Sequence, residues 1–594
     1  MAEDPLARHY FAPLFEPASV AVIGASTRAG TVGAVLIENM LEAGYRGALY
    51  AVNPKHREIR GVPCFPSIGE IPRRVDLAVV ATPAPTVPGV INACGEAGVR
   101  AAVVISAGFS ESGPAGAKLE RALLENARRH RLRVLGPNCL GIMRPGVGLN
   151  ATFARGHATP GALGLISQSG AVCTAMLDWA AANGVGFSCV ASLGGSTDVD
   201  FGEIVDYLLY DPKTEHILLY IEGVRDARRF MSALRAAARV KPVILMKVGR
   251  HPAGSRAVVS HTGAMVGGDD VFEAVVRRAG AVRVRSIGQL VAAAQALSSR
   301  VRPRGDRLAV ITNGGGPGVM AADLAADLGI TLAQLSDATI EALQKSLPAN
   351  WSHGNPVDLI GDADAARYAA ALTACLADPG VDGALVMLTP QAMTEPLEVA
   401  RVVAARAVDT DKPLLTCWMG ERQVAESRRF FAERGIPTFR TPDPAIEMFA
   451  HVSAFYRNQR TLLQAPGPLS PHPEPDIAGA RLVIESVLAE RRTVLSEMEA
   501  KAVLAAFRVP IARAVRVRSA NEAMLVAEET GFPVAMKIDS PDITHKSDIG
   551  GVRLNIANAQ AARDAYRDLI AGLERAQPAA RLAGVVVEPM VARP

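Results

Sequence analysis

Three kinds of residue cluster in this 594-residue chain could do chemistry: a histidine among small residues, turns rich in glycine or serine at strand ends, and a lysine ahead of a basic, glycine-rich loop. The histidine is His261, in Ser260-His261-Thr262-Gly263-Ala264. Neutral imidazole is a nucleophile near pH 7, and a carboxylate on one ring nitrogen frees the other for attack. Glu222, in Tyr220-Ile221-Glu222-Gly223-Val224, ends a strand beside a glycine and is the candidate partner. Acids at strand ends of parallel sheets face the ligand crevice. A lone histidine is more often surface or core filler; the turns elsewhere in the chain move the reading to phosphoryl transfer.

The first turn runs Val22-Ile23-Gly24-Ala25-Ser26 and on to Gly33. Glycine at a strand's carboxyl end lets the backbone approach a phosphate, whose charge the next helix start favours. It fails as a dinucleotide fingerprint, since Ser26 and Ala29 stand in later glycine places. The second strand ends in Asn53-Pro54-Lys55, where an NAD site would put an acid. Phosphate binding is expected and NAD is not, although any doubly wound fold has such a tight turn. Ser167-Gln168-Ser169-Gly170 and Asn313-Gly314-Gly315-Gly316 are further turns of this type, each leaving amides at a helix start. Lys537, followed by His545-Lys546-Ser547 and Gly550-Gly551-Val552, reads as a polyphosphate site or as a solvated hairpin.

These residues need strands that end where the turns begin. Apolar runs at Ser19–Ile23, 47–52, 76–81, 101–106 and Arg133–Leu135 alternate with amphipathic stretches, the pattern of a parallel sheet covered on both faces. The pattern restarts at 164–166, 217–221 and 243–248, and again at 308–312, Gly383–Leu388, Leu414–Trp418 and 438–440. The expected fold is α/β: three successive doubly wound parallel-sheet domains of Rossmann or flavodoxin-like type, at 12–150, 155–300 and 305–460. Residues 464–475 (QAPGPLSPHPEP) hold five prolines and fit a linker within 461–479. A different texture follows over 480–594, with a helix near 496–507 and strands at 534–538 and 584–588. The end at Pro594, just after an apolar strand, suggests truncation within this last domain.

Bulk properties exclude several classes. Lys and Arg exceed Asp and Glu by only four charges, which argues against nucleic-acid or membrane-surface binding. Seven cysteines without a CxxC pair indicate reduced thiols, neither a disulfide framework nor a zinc site. With an acidic N-terminus and no long apolar run, a cytoplasmic protein is expected.

Gly24–Ser26, Asn53–Lys55, Ser106–Phe109, Gly136–Gly141 (GPNCLG), Ser167–Ala171, Tyr220–Val224 and Ser260–Ala264 together resemble the ADP-forming acyl-CoA synthetases, relatives of succinyl-CoA synthetase. The resemblance runs from about residue 15 to 594 and departs at Gly195, where Asn is usual. It implies that the first domain binds CoA and that His261 carries a phosphoryl group, oriented by Glu222. The helix starts at Ser169 and Gly315 become facing phosphate cradles. It also implies that 480–594 resembles the first lobe of an ATP-grasp domain. Lys537, His545, Lys546, Gly550 and Gly551 would then lie at ATP or ADP phosphates, and Glu588 at the adenine-side hinge. Mg²⁺ is an implied cofactor with its ligands beyond residue 594, so no metal ligand is assigned here. The expected partners are small molecules (acyl-CoA, phosphate and nucleotide), with a homo-oligomer expected. Leu347–Ser352, Asn355–Asp358, Gly361–Asp364, Arg440–Pro442 and Tyr456–Gln459 also resemble bacterial lysine acetyltransferases that fuse such a region to a GNAT domain. The alternative reading is therefore a CoA- or acetyl-CoA-sensing region of such a protein.

Overall fold

The computed structural model describes residues 9–256, 268–298, 305–463, 474–543 and 545–591. His261 and most of the proline-rich linker lie outside them. The chain divides into two units, Met1–Ala465 and Pro466–Pro594.

Within the first unit, one sheet contains β1 (Ser19–Ile23), β2 (Ala48–Val52), β3 (Glu58–Ile59), β4 (Val62–Phe65), β5 (Leu77–Val80), β6 (Ala101–Val104) and β7 (Arg133–Leu135). Their spatial order is β3-β4-β2-β1-β5-β6-β7, parallel except for the short β3–β4 pair. Every residue of β1, β5 and β6 is buried, as continuous apolar runs require when helices cover both faces. The strand order reverses between β1 and β5, and helix α1 (Val32–Glu42) leaves the first turn.

The second sheet holds β8 (Gly141–Arg144), β9 (Leu149–Thr152), β10 (Pro160–Ser167), β11 (Phe187–Ser192), β12 (His216–Ile221), β13 (Val243–Lys247) and β14 (Val282–Val284). Its order is β14-β13-β12-β10-β11-β8-β9. The doubly wound plan holds, with an addition that the sequence reading did not include: β8 and β9 form a hairpin antiparallel to β11. The reversal falls between β10 and β12, where helix α2 (Gly170–Asn183) begins.

The third sheet follows the same plan. It contains β15 (Arg307–Thr312), β16 (Thr331–Leu332), β17 (Val357–Asp358), β18 (Gly383–Leu388), β19 (Leu414–Trp418) and β20 (Thr438–Phe439). The order β16-β15-β18-β19-β20 reverses between β15 and β18, beside helix α3 (Gly315–Asp327). The 22-residue helix α4 (Pro442–Leu463) buries Ile446, Met448 and Phe449 in this core, and its Asn458 donates to Ala281 O of the second domain at 3.2 Å.

The second unit is a four-stranded antiparallel sheet, β21 (Val515–Val517), β22 (Val534–Asp539), β23 (Val552–Ile556) and β24 (Gly584–Pro589), in the order β21-β24-β22-β23. Helix α5 (Glu497–Ala506) precedes it. A capping box starts α5: Ser496 Oγ accepts from Glu499 N, and the Glu499 carboxylate accepts from Ser496 N.

Candidate active site

At the β1/β5 reversal a cleft of about 250 Å³ is lined by Gly24, Asn53, Pro54 and Thr82, among others. Gly24 has φ +90°, and a Cβ there would lie 2.7 Å from Ala81 O, so only glycine fits. Asn53 Nδ2 donates to Ala25 O at 2.7 Å, and Asn53 Oδ1 accepts from Lys55 N at 2.9 Å. Asn53 thus braces the turn with both ends of its amide. Ser26 Oγ accepts from Arg28 N at 3.1 Å and shapes the same loop.

The loop Gly136–Gly141 carries the first domain to the second. Gly195 N donates to Pro137 O at 2.8 Å, Thr197 N to Gly136 O at 3.1 Å, and Leu140 N to Ser192 Oγ at 3.0 Å. Leu140 reaches the start of α2, where a Cβ on Gly170 would stand 3.3 Å from its own Cβ. Gly195 works through its backbone, since its carbonyl also accepts from Arg225 Nη2 at 3.0 Å. Burial pushes the thiols of Cys139, in this loop, and Cys173, in α2, up to about 12, which removes both as nucleophiles near neutral pH.

The turn into α2 is held by its own side chains. Ser167 Oγ donates to Ser169 O at 2.9 Å and accepts from Ser169 N at 3.0 Å, while Ser169 Oγ accepts from Val172 N at 3.4 Å. Gln168 is buried, and its Oε1 accepts from Glu222 N at 2.6 Å and Gly223 N at 3.0 Å. Its Nε2 donates to Ser196 Oγ at 3.5 Å. One amide therefore ties the helix start, the end of β12 and the 192–197 loop together. Glu222 is only 6% exposed. The structure brings Ser167, Ser169, Gly170 and Glu222 to one edge; Gln168, Ser192 and Ser196 join them without having been singled out. Their partners lie 28 to 55 residues away, which no local pattern announces.

The start of α3 is built in the same way. Thr312 Oγ1 donates to Gly314 O at 3.1 Å and accepts from Gly314 N at 3.0 Å. Buried Asn313 donates through Nδ2 to Thr389 O at 2.9 Å and accepts at Oδ1 from Thr389 N at 2.8 Å. Gly315 lies close to Asp358, whose Oδ2 would be 3.1 Å from an added Cβ.

In the second unit, Lys537, Glu588, Lys501, Glu497 and Lys546 form a chain of ion pairs. Glu497 Oε2 is 2.6 Å from Lys546 Nζ, and Glu497 Oε1 is 3.3 Å from Lys537 Nζ. Glu588 pairs with both Lys501 and Lys537. Burial opposes ionisation of Glu497 and Glu588, but the lysines outweigh it and hold both carboxyls below their ordinary range. Burial also opposes the charge on Lys537, and the two carboxylates outweigh that and raise its pKa. Glu497, Lys537, His545 and Lys546 share a cavity of about 520 Å³. Gly550, at φ +66°, and Gly551, whose N donates to Lys546 O at 2.8 Å, turn the chain back into β23. Glu497 and Lys501 were not foreseen at this site. Among the described residues, no group of three or more His, Cys, Asp or Glu is arranged to hold a metal ion.

A crevice at a sheet reversal, helix starts with free amides and a lysine-lined cavity are each places that can take a phosphate-bearing ligand. Comparison with known families agrees: residues 18–145 match the CoA binding domain, 160–297 the succinyl-CoA ligase like flavodoxin domain, 308–464 the Ligase-CoA domain and 486–594 an ATP-grasp domain. Acetate–CoA ligase (ADP-forming) I of Archaeoglobus fulgidus is 40% identical over 579 residues, 97% of this chain and 82% of that protein. 4-Hydroxybutyrate–CoA ligase (ADP-forming) of Nitrosopumilus maritimus is 32% identical over 98% of this chain and 83% of its own length. Among solved structures, dinucleotide-forming acetyl-coenzyme A synthetase 1 of Ca. Korarchaeum cryptofilum, in complex with phosphate and ADP, superposes with a TM-score of 0.72 at 33% identity, covering 77% of this chain and 99% of that one. The chain belongs to the ADP-forming acyl-CoA synthetase family. The two relatives named above are CoA ligases, as the synthetase reading expects.

Proposed function

We propose that the chain interconverts acyl-CoA, phosphate and ADP with carboxylic acid, CoA and ATP, using His261 as a transient phosphoryl carrier. The observation that supports this most is the stitched junction at Gly136–Gly141. It brings the CoA-binding domain against the α2 helix start and within one amide's reach of Glu222. Phosphate oxygen attacks the thioester carbonyl, the C–S bond breaks, and CoA leaves as the thiol after taking up a proton. The imidazole of His261 then attacks phosphorus, the carboxylate leaves, and the phosphoryl group passes to an ADP oxygen. Dividing the transfer in this way replaces one difficult step with easier ones. In this scheme the α2 and α3 helix starts stabilise phosphate charge, Glu222 orients the imidazole, and Lys537 and Lys546 neutralise nucleotide phosphates. Mg²⁺ would enter with the nucleotide and neutralise its charge.

The two relatives differ in their named acids, so the acyl group is open; acetate is the first substrate to test. We also propose a cytoplasmic homo-oligomer; among the described residues, no helix is long and apolar enough to cross a membrane. The test is labelling with acetyl-CoA and radioactive phosphate. An acid-labile, base-stable label should map to His261, vanish in His261→Ala and survive in His545→Ala. Glu222→Gln should slow labelling on the order of 10³-fold with CoA binding nearly unchanged. Label on His545 alone, or none with His261 intact, would remove the carrier.

A further inference from the structure

We propose that Glu497 is an internal competitor for the nucleotide phosphates, occupying with its carboxylate the two lysines assigned to them. This rests on the reading of Lys537 and Lys546 as the phosphate-binding cations. The two lysines come from different segments, β22 and the loop after it, yet one carboxylate reaches both, at 3.3 and 2.6 Å. Carboxylate and phosphate oxygens make the same demand on an ammonium group, so the two anions exclude each other at these atoms.

Glu497 is also placed to let go. It is the first residue of α5, but the cap of that helix is made by Ser496 and Glu499, and Glu499 is held in turn by two contacts from Arg492 at 3.0 and 2.6 Å. The helix start therefore keeps its backbone partners when the Glu497 side chain turns away. A third cation, already paired with Glu588, stands one turn along: Lys501 Nζ is 3.5 Å from Glu497 Oε1. Phosphate arriving at Lys537 and Lys546 can thus pass the carboxylate to Lys501 and the favourable field of the helix start. Three ammonium groups face two carboxylates in this cluster, so loss of one carboxylate leaves a markedly more cationic cavity. Glu497 acts through the two lysines: by competing with phosphate for their ammonium groups it makes binding weaker and exchangeable.

The test is calorimetric titration of the full chain with ADP, and separately with inorganic tripolyphosphate, at low and moderate salt. Glu497→Gln should bind both about tenfold more tightly, with a steeper loss of affinity on adding salt. Glu497→Asp, which keeps the charge, should move back toward wild type. A purely structural role for Glu497 predicts the opposite, because lysines left unsupported would bind more weakly. Unchanged or weaker binding by Glu497→Gln, with wild type binding and Lys537→Ala not binding, would overturn this proposal alone. If wild type binds neither ligand, or Lys537→Ala binds as well as wild type, the nucleotide site falls too and this proposal with it. Should Glu497→Gln fail to fold, Lys501→Met removes the alternative partner; ADP should then bind about fivefold more weakly, and no change would count against the exchange.

Discussion

The second and third sheets are two copies of one frame with different chemistry mounted on it. In both, a hydroxyl at the end of the first strand (Ser167, Thr312) closes the turn, and a buried amide (Gln168, Asn313) clamps the end of the strand across the reversal. At the opposite edge, Lys241 Nζ donates to Asp211 O at 2.7 Å, and Lys412 Nζ donates to Asp378 O at 2.6 Å; each lysine is followed by a proline and a strand. What differs is what the clamp holds. Gln168 holds the Glu222-Gly223 backbone, and the chain then passes through β13 into the segment 248–268 that contains His261. Asn313 holds Thr389, which has no acid, and β19 runs after residues 419–421 into a short helical turn at Arg422–Val424. The frame serves to present a helix start. The acid and the histidine that would make it a transfer site belong to one copy.

The sharpest way to break this comparison is to remove the two clamps. Gln168→Ala takes the acceptor from two backbone N–H groups, and Asn313→Ala takes both acceptor and donor from Thr389. Each should destabilise its domain by about 1–3 kcal/mol, measured by denaturant unfolding. The functional consequences should separate. Gln168→Ala lets the Glu222 backbone drift, and a displacement of about 1 Å can cost on the order of 100-fold in rate. Asn313→Ala should leave His261 labelling by acetyl-CoA and phosphate within about tenfold of wild type. Equal losses of labelling would show that the two copies share the chemistry.

Much of this frame was legible in the sequence. β1, β7, β18 and β19 fall where uninterrupted apolar runs place them, because a strand buried on both faces leaves a continuous signature. β11 went unread: Phe187-Ser188-Cys189-Val190-Ala191-Ser192 is wholly buried, yet its serines break the apolar run. The β8–β9 hairpin is buried along both strands, yet Arg144, Asn150 and Thr152 break its short apolar runs. Among the candidate site residues, the turns could be picked out by residue type, while the contacts of Gln168, Glu497 and Lys501 could not. Their meaning lies in partners brought close only by folding.

The clamps of the first unit are neutral amides, whereas the second unit is held at its cavity by charge, so pH should part them. Glu497 and Glu588 have folded-state pKa values below the ordinary carboxylate value of about 4.3, so their contribution is present above that pH and fades as pH falls through the depressed values. Lys537 is raised above its ordinary value of about 10.4, so its contribution is full below that and is lost at still higher pH. Hydrogen exchange across the chain should show amides of β22 and β24 losing protection below about pH 4.3, while those at the starts of α2 and α3 do not respond to these groups. Parallel loss at all three places would mean that the ring of ion pairs does not set local stability.

The smallest expected effect asks whether the third sheet's helix start has a ligand role at all. In the shared frame Gly316 of α3 stands where α2 has Ala171, two residues after the capping position in each. A Cβ on Gly316 would meet nothing within 4 Å, and the residue is exposed in an ordinary helical turn. Glycine there costs backbone entropy that no contact in the fold repays, so Gly316→Ala should stabilise by about 0.5–1 kcal/mol and raise the melting temperature by about 1–3 °C. The second copy already has the stabilising residue. If glycine persists in α3 because a phosphoryl group must approach the backbone closely, the same substitution should reduce stabilisation by added phosphate or ADP while the unliganded protein melts higher. Opposite movement of those two readouts assigns the α3 start a binding role. A stabilised variant with unchanged ligand response would reduce the third sheet to a scaffold, and the transfer site would then have one phosphate-facing helix start instead of two.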